Sequence, residues 1–121
     1  IHQPGAMRPA NLRILDMTQR ITKKTLYSRI ETLNALFGYS QSAYAQDSLG
    51  NYSRSENGGL VANANTFILD CAYGGYRLCQ MCKGGGERDI TPRGTARETY
   101  DCINAFIYGA EAMLHRSAGK I

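Results

Sequence analysis

The residues whose types and spacing suggest chemistry lie in one stretch, "DCAYGGYRLCQMCKGGGERD" (residues 70–89). It holds three of the four cysteines, two of them as Cys79-Gln-Met-Cys82. A C-x-x-C pair can bind zinc or cycle between dithiol and disulfide. Structural zinc needs four ligands, and the only full set of thiols is Cys71, Cys79, Cys82 and Cys102, since His2 and His115 stand at the extremes of the chain. Redox chemistry needs a thiol whose pKa is lowered at a helix N-terminus, whereas this pair follows a strand pattern and precedes a glycine turn. The cysteines are therefore read as small buried apolar residues, and a domain built on a single zinc held by all four thiols is kept as a third reading.

The string "CQMCKGGG" also fits the C-x-x-C-x-G-x-G unit of the zinc domain in DnaJ-class chaperones, but that family carries paired repeats and this chain has one. A second constellation is basic. Arg88, Arg93 and Arg97 surround the expected start of a helix, where free amides and the dipole favour an anion; the competing reading pairs Arg93 or Arg97 with Asp89 or Glu98. Neither Gly74-Gly75 nor Gly84-Gly85-Gly86 matches a dinucleotide or phosphate loop, so both are turns. There is no central histidine and no G-x-S-x-G, and catalysis is not expected.

These residues must be positioned by the elements around them. Leu26, Ile30, Leu33 and Phe37 recur at helical spacing, Thr22 can cap the start and Gly38 the end, and the opposite face carries Lys23, Lys24, Arg29 and Glu31. Residues 38–59 are rich in Ser, Asn, Gln and Gly without a period and read as a long loop, with Asn57-Gly58-Gly59 as a turn and Tyr52 to Ser55 pairing back across it. "LVANANTFILDCAY" reads as one strand or two. Gly74-Gly75 then makes a tight hairpin that pairs Tyr73 with Tyr76. Alternation puts Phe67, Leu69, Cys71, Tyr73, Tyr76, Leu78, Gln80 and Cys82 on a core face. Ile68, Asp70, Ala72, Arg77, Cys79 and Met81 fall on the other, with Asp70 and Arg77 close enough on a diagonal to pair. "ERDITP" gives a third strand that Pro92 stops, and Thr95-Ala96-Arg97-Glu98 is a capping box. It opens a helix whose stripe is Cys102, Ile103, Phe106, Ile107, Ala110, Met113 and Leu114. The final "SAGKI" reads as a frayed tail.

With 121 residues the chain has room for one domain of modest core, assigned to residues 22–116. No apolar run approaches the ~18 residues that cross a bilayer. The formal charge of +4 spreads over 14 basic and 10 acidic residues, and Arg20, Lys23, Lys24 and Arg29 form the densest basic cluster. Residues 1–21 carry two prolines and no period, so they read as an upstream or appended extension with Met17 a candidate native start. With no secretory leader recognised, reduced thiols in a bacterial cytoplasm are expected.

The stretch from "TKKTLYSRIETLNALFG" through "ANANTFILDCAYGGYRLCQMCKGGGERDITPRGTARETYDCINAFIYGAEAM" resembles a group of small proteins encoded by bacteriophages and prophages. They share a Lys-rich first helix, a central Ala-Tyr-Gly-Gly hairpin, a glycine-rich turn and an aromatic-rich last helix. The likeness spans about residues 22–113, and leaves out residues 1–16 and the insertion over 40–57. No activity attaches to the group, so no functional residue carries over. In these relatives aliphatic residues often stand at the positions of Cys79 and Cys82, which implies that the thiols are dispensable.

The expected architecture is α+β: a helix, a long loop, an antiparallel sheet of three or four strands, and a C-terminal helix, both helices on the Phe67/Leu78 face. The expected function is a non-catalytic phage accessory protein that binds a host or phage macromolecule, inhibition of a bacterial defence complex in the manner of anti-CRISPR proteins being one form. Its expected docking surface is the other sheet face, Ile68, Asp70, Arg77, Cys79 and Met81, with Arg88, Arg93 and Arg97 beside it and homodimerisation as one use. The alternative is a small nucleic-acid-binding module using the basic clusters. No membrane partner and no cofactor other than that zinc is expected.

Overall fold

In chain order the elements are α1 (Lys23–Phe37), β1 (Phe67–Ala72), β2 (Gly75–Met81), β3 (Glu87–Asp89) and α2 (Ala96–Gly119). This computed structural model describes residues 20–119; the expected extension up to residue 19 and the last two residues lie outside it. The class is α+β, with a three-stranded antiparallel sheet in the order β1-β2-β3.

Both helices form where the sequence places their caps. Thr22 Oγ1 accepts from Thr25 N at 3.3 Å, and Gly38 closes α1 at φ 75°, a left-handed conformation that suits glycine. The capping box of α2 is complete: Thr95 N donates to Glu98 Oε1 at 2.8 Å, and Glu98 N to Thr95 Oγ1 at 3.1 Å. The α2 helix continues to Gly119, beyond the expected frayed end.

The helices pack on one face of the sheet, α1 against β1 and α2 against β2, around Leu26, Ile30, Leu33, Phe67, Leu78, Ile103 and Ile107. Burying each of these side chains contributes roughly 1.5–3 kcal/mol. Phe67 is the centre of an aromatic cluster, with the Phe37, Tyr39 and Phe106 rings at 6.0, 5.9 and 5.5 Å. Arg29 leaves the expected solvated face and donates to Asn104 Oδ1 on α2 at 2.7 Å. Several residues expected in the core are outside it. Cys71, near the end of β1, Tyr73, at the hairpin turn, and Cys102, on the outer side of α2, are all exposed.

The hairpin turn sits one residue earlier than expected. Tyr73 and Gly74 take the two positive-φ positions, at 53° and 73°, and Ala72 pairs with Gly75. Asp70 therefore lies directly opposite Arg77, not on a diagonal. The displacement moves each pairing by two residues, so every paired side chain keeps its expected face. Gly75 is needed for a close approach instead: a Cβ there would stand 3.0 Å from Gly94 O and 3.1 Å from Arg93 Cγ, where the chain returns to pair Gly94 with Tyr76. Tyr73 accepts the unfavourable turn position under the Arg93 guanidinium, 5.5 Å above its ring.

The third strand ends at Asp89, ahead of Pro92, and pairing with β2 resumes beyond the proline at Gly94. Ile90 N and Thr91 N both reach Leu78 O, and Thr91 Oγ1 accepts from Leu78 N at 3.1 Å, which supplies the acceptor that the backbone loses. At the opposite edge, the buried Asn34 of α1 binds β1 as a strand would. Its Oδ1 accepts from Phe67 N at 2.8 Å and its Nδ2 donates to Phe67 O at 3.0 Å.

Residues 43–63, expected to be irregular up to residue 59, form an arm of two matching hairpins. In the first, Gly50 N donates to Asp47 O and Asp47 N to Asn51 O; in the second, Gly58 N donates to Ser55 O and Ser55 N to Gly59 O. Gly50 and Gly58 each sit at φ 86°, the left-handed residue that follows a type I turn in three-residue hairpin loops. Arg54 pairs with Leu60 across the second turn, as the Asn-Gly-Gly signal predicts. Thr66 Oγ1, donating to Ser40 O, and Asn63 Nδ2, donating to Ser42 O, fasten the arm's base.

Candidate functional site

The sheet face expected to dock a partner is closed and internally paired. Cys79 and Met81 are buried at 0% and 2% exposure, so only Ile68, Asp70 and Arg77 of the expected set reach the surface, each partly. Asp70 Oδ2 accepts from Arg77 Nη2 at 2.7 Å and from Arg93 Nη2 at 2.5 Å, and Arg77 Nη1 donates to Asp89 Oδ2 at 3.1 Å. Hydrogen bonds from Arg93 and then Arg77 hold the Asp70 carboxyl below the usual aspartate range. Arg77 Nε is buried without a partner inside this cluster.

The three arginines expected to receive an anion are engaged. Arg93 is bound to Asp70 and donates to Ala72 O at 3.2 Å; Arg88 holds Gln80 Oε1 through Nε and Nη2; Arg97 lies over the Tyr100 ring at 5.7 Å. The first turn of α2 already holds the Glu98 carboxylate, so an incoming anion meets a negative charge there.

The four sulfurs do not converge. Among the described residues, one cluster has three candidate ligand atoms within 4.8 Å of one another, and it contains a single cysteine, Cys79, with Asp70 and Glu87. Burial pushes the Cys79 thiol up to about 11, and Glu87 adds to the effect, so the free thiol is held protonated at neutral pH. Asp70 in that cluster already serves two guanidinium groups. Cys82 lies just past the end of β2, its amide closing the glycine turn by donating to Gly86 O at 2.7 Å.

Compared with family models, curated proteins and solved structures, the chain matches none. Among the described residues no helix is long and apolar enough to cross a membrane. Surface chemistry must therefore carry the reading.

Two surfaces present apolar groups that the core does not use. The arm exposes Leu49 at 84% and Tyr52 at 52%, with Leu60 and Val61 also exposed. The Asp47 side chain fixes the first tip, its Oδ1 accepting from Leu49 N at 2.9 Å and Asn51 N at 3.0 Å, so Leu49 is offered on an ordered turn. The second surface is α2 beyond Ile103. Phe106, Tyr108, Met113 and Leu114, all but Tyr108 expected in the core stripe, are exposed, and a groove of about 520 Å³ opens between Phe37 and the Ala105, Gly109 and Met113 side. Sequence reasoning missed both. The arm signal was present in its Tyr, Ser, Asn and Gly content; the groove required knowing where the core ends.

Proposed function

We propose that this chain is a non-catalytic accessory protein of the bacteriophage type, which acts by binding a host or phage macromolecule through the 43–63 arm. One observation carries the reading: the arm offers Leu49 and Tyr52 on the first of its two tight, hydrogen-bonded hairpins. Tyr, Ser, Gly and Asn, which make up much of it, are the residue types that recognition loops favour, because tyrosine gives contact area at low entropic cost and the small residues adapt. Inhibition of a bacterial defence complex is one concrete form of such binding. The nucleic-acid reading is weakened by the internal partners of Arg88 and Arg93.

The test is affinity capture from a bacterial host lysate with wild type and a Leu49→Asp/Tyr52→Ala variant. The reading expects a protein captured by wild type and lost with the variant. Capture that both proteins share equally removes the arm from the account. Nucleic acid as the captured species, with affinity falling steeply as salt rises, transfers the reading to the basic module.

A further inference from the structure

We propose that the chain self-associates through the outer side of α2, two copies packing antiparallel about a two-fold axis level with residue 107. The surface differs from the arm and the inference stands independently of the arm's role.

Among the described side chains of α2, only Thr99, Ile103 and Ile107 are fully buried, although the helix runs for 24 residues. The core therefore uses one side of its first half. On the outer side, Glu98, Cys102, Ala105, Gly109, Ala112 and Arg116 follow one another at spacings of four, three, four, three and four, and all six are exposed. That is the spacing of a coiled-coil seam. Its middle is made of small residues, and a Cβ built on Gly109 would meet nothing within 4 Å, so a second helix can approach closely. The apolar groove beside it, with Phe106 and Met113, supplies surface to bury.

Charge and register decide the occupant. The N-terminal end of this face carries Glu98 and Asp101, which with Arg93 border a depression of about 410 Å³, while its C-terminal end carries Arg116, just before the helix stops at Gly119. A parallel copy would set like charges together. An antiparallel copy sets Arg116 against Glu98, Cys102 against Ala112 and Ala105 against Gly109, three pairs that share the midpoint 107. A face complementary to itself in charge, in side-chain size and in register is the mark of a two-fold interface. Helices of about 10 Å diameter in contact over about 30 Å bury on the order of 1,200 Å² in total, the lower end for specific interfaces, which fits a dimer forming at micromolar concentration.

Sedimentation equilibrium tests this over about 1–200 μM. Wild type is expected to pass from 13.3 kDa to twice that mass. Gly109→Arg, which projects into solvent in the single copy, is expected to weaken association at least 100-fold with an unchanged circular dichroism spectrum. Leu49→Asp is expected to leave it unaltered. Register is read by disulfide trapping: Ala112→Cys should cross-link through native Cys102 under mild oxidation, and Cys102→Ser/Ala112→Cys should not. A wild type that remains at monomer mass throughout overturns the proposal. So does a dimer insensitive to Gly109→Arg, or equal cross-linking of both cysteine variants.

Discussion

Asp70 concentrates two guanidinium groups on one carboxylate oxygen, and this fixes how the fold responds to acid. Its folded pKa is depressed by Arg93 and Arg77, so its contribution is present above the ordinary aspartate value of about 3.9 and is lost as pH falls through the folded value. Thermal melts of wild type are expected to drop across that acid range. Asp70→Asn should melt lower at neutral pH and show a flatter acid limb. A variant with the wild-type pH profile would show that the cluster contributes nothing. Thiol reactivity is a second check at this scale. Exposed Cys71 and Cys102 should react with Ellman's reagent in the native protein, and Cys79 only after unfolding.

At the scale of elements, Gly75 is where β2 and the returning 93–94 segment come into contact. Gly75→Ala is expected to destabilise by about 1–3 kcal/mol in urea titrations, because the methyl meets backbone at Gly94 and cannot displace it cheaply. The arm depends instead on its turns. Asp47→Ala should leave global stability within about 0.5 kcal/mol of wild type but make the 47–51 tip the first site of limited proteolysis. These positions also show what was legible in the sequence. Caps, helical periods and strand alternation are local, so α1, α2 and the two faces of the hairpin followed from residue types. The turn residue did not, since choosing between Tyr73 and Gly75 requires knowing that Arg93 and Gly94 return against β2. Burial of Cys79 and Met81 was unreadable for the same reason: alternation names a face but not what covers it. The α2 stripe misled in its second half, where helical period persists after the core has ended.

For the molecule as a whole, assembly through α2 has a counterpart in what the sheet withholds. β3 is a three-residue strand with a proline close behind it, a poor template for another chain. On the other margin, Asn34 occupies both backbone groups of Phe67. Replacing it with alanine should cost about 2–4 kcal/mol, since two buried main-chain groups lose their partners. A chemical denaturation curve measures that loss. The same change has a consequence between molecules: with its side-chain lock removed, β1 becomes a longer open edge, and strand-to-strand accretion should begin under conditions that leave wild type clear. Light scattering of Asn34→Ala held below its melting temperature would register this, and identifies one buried amide as the guard that keeps this sheet from growing.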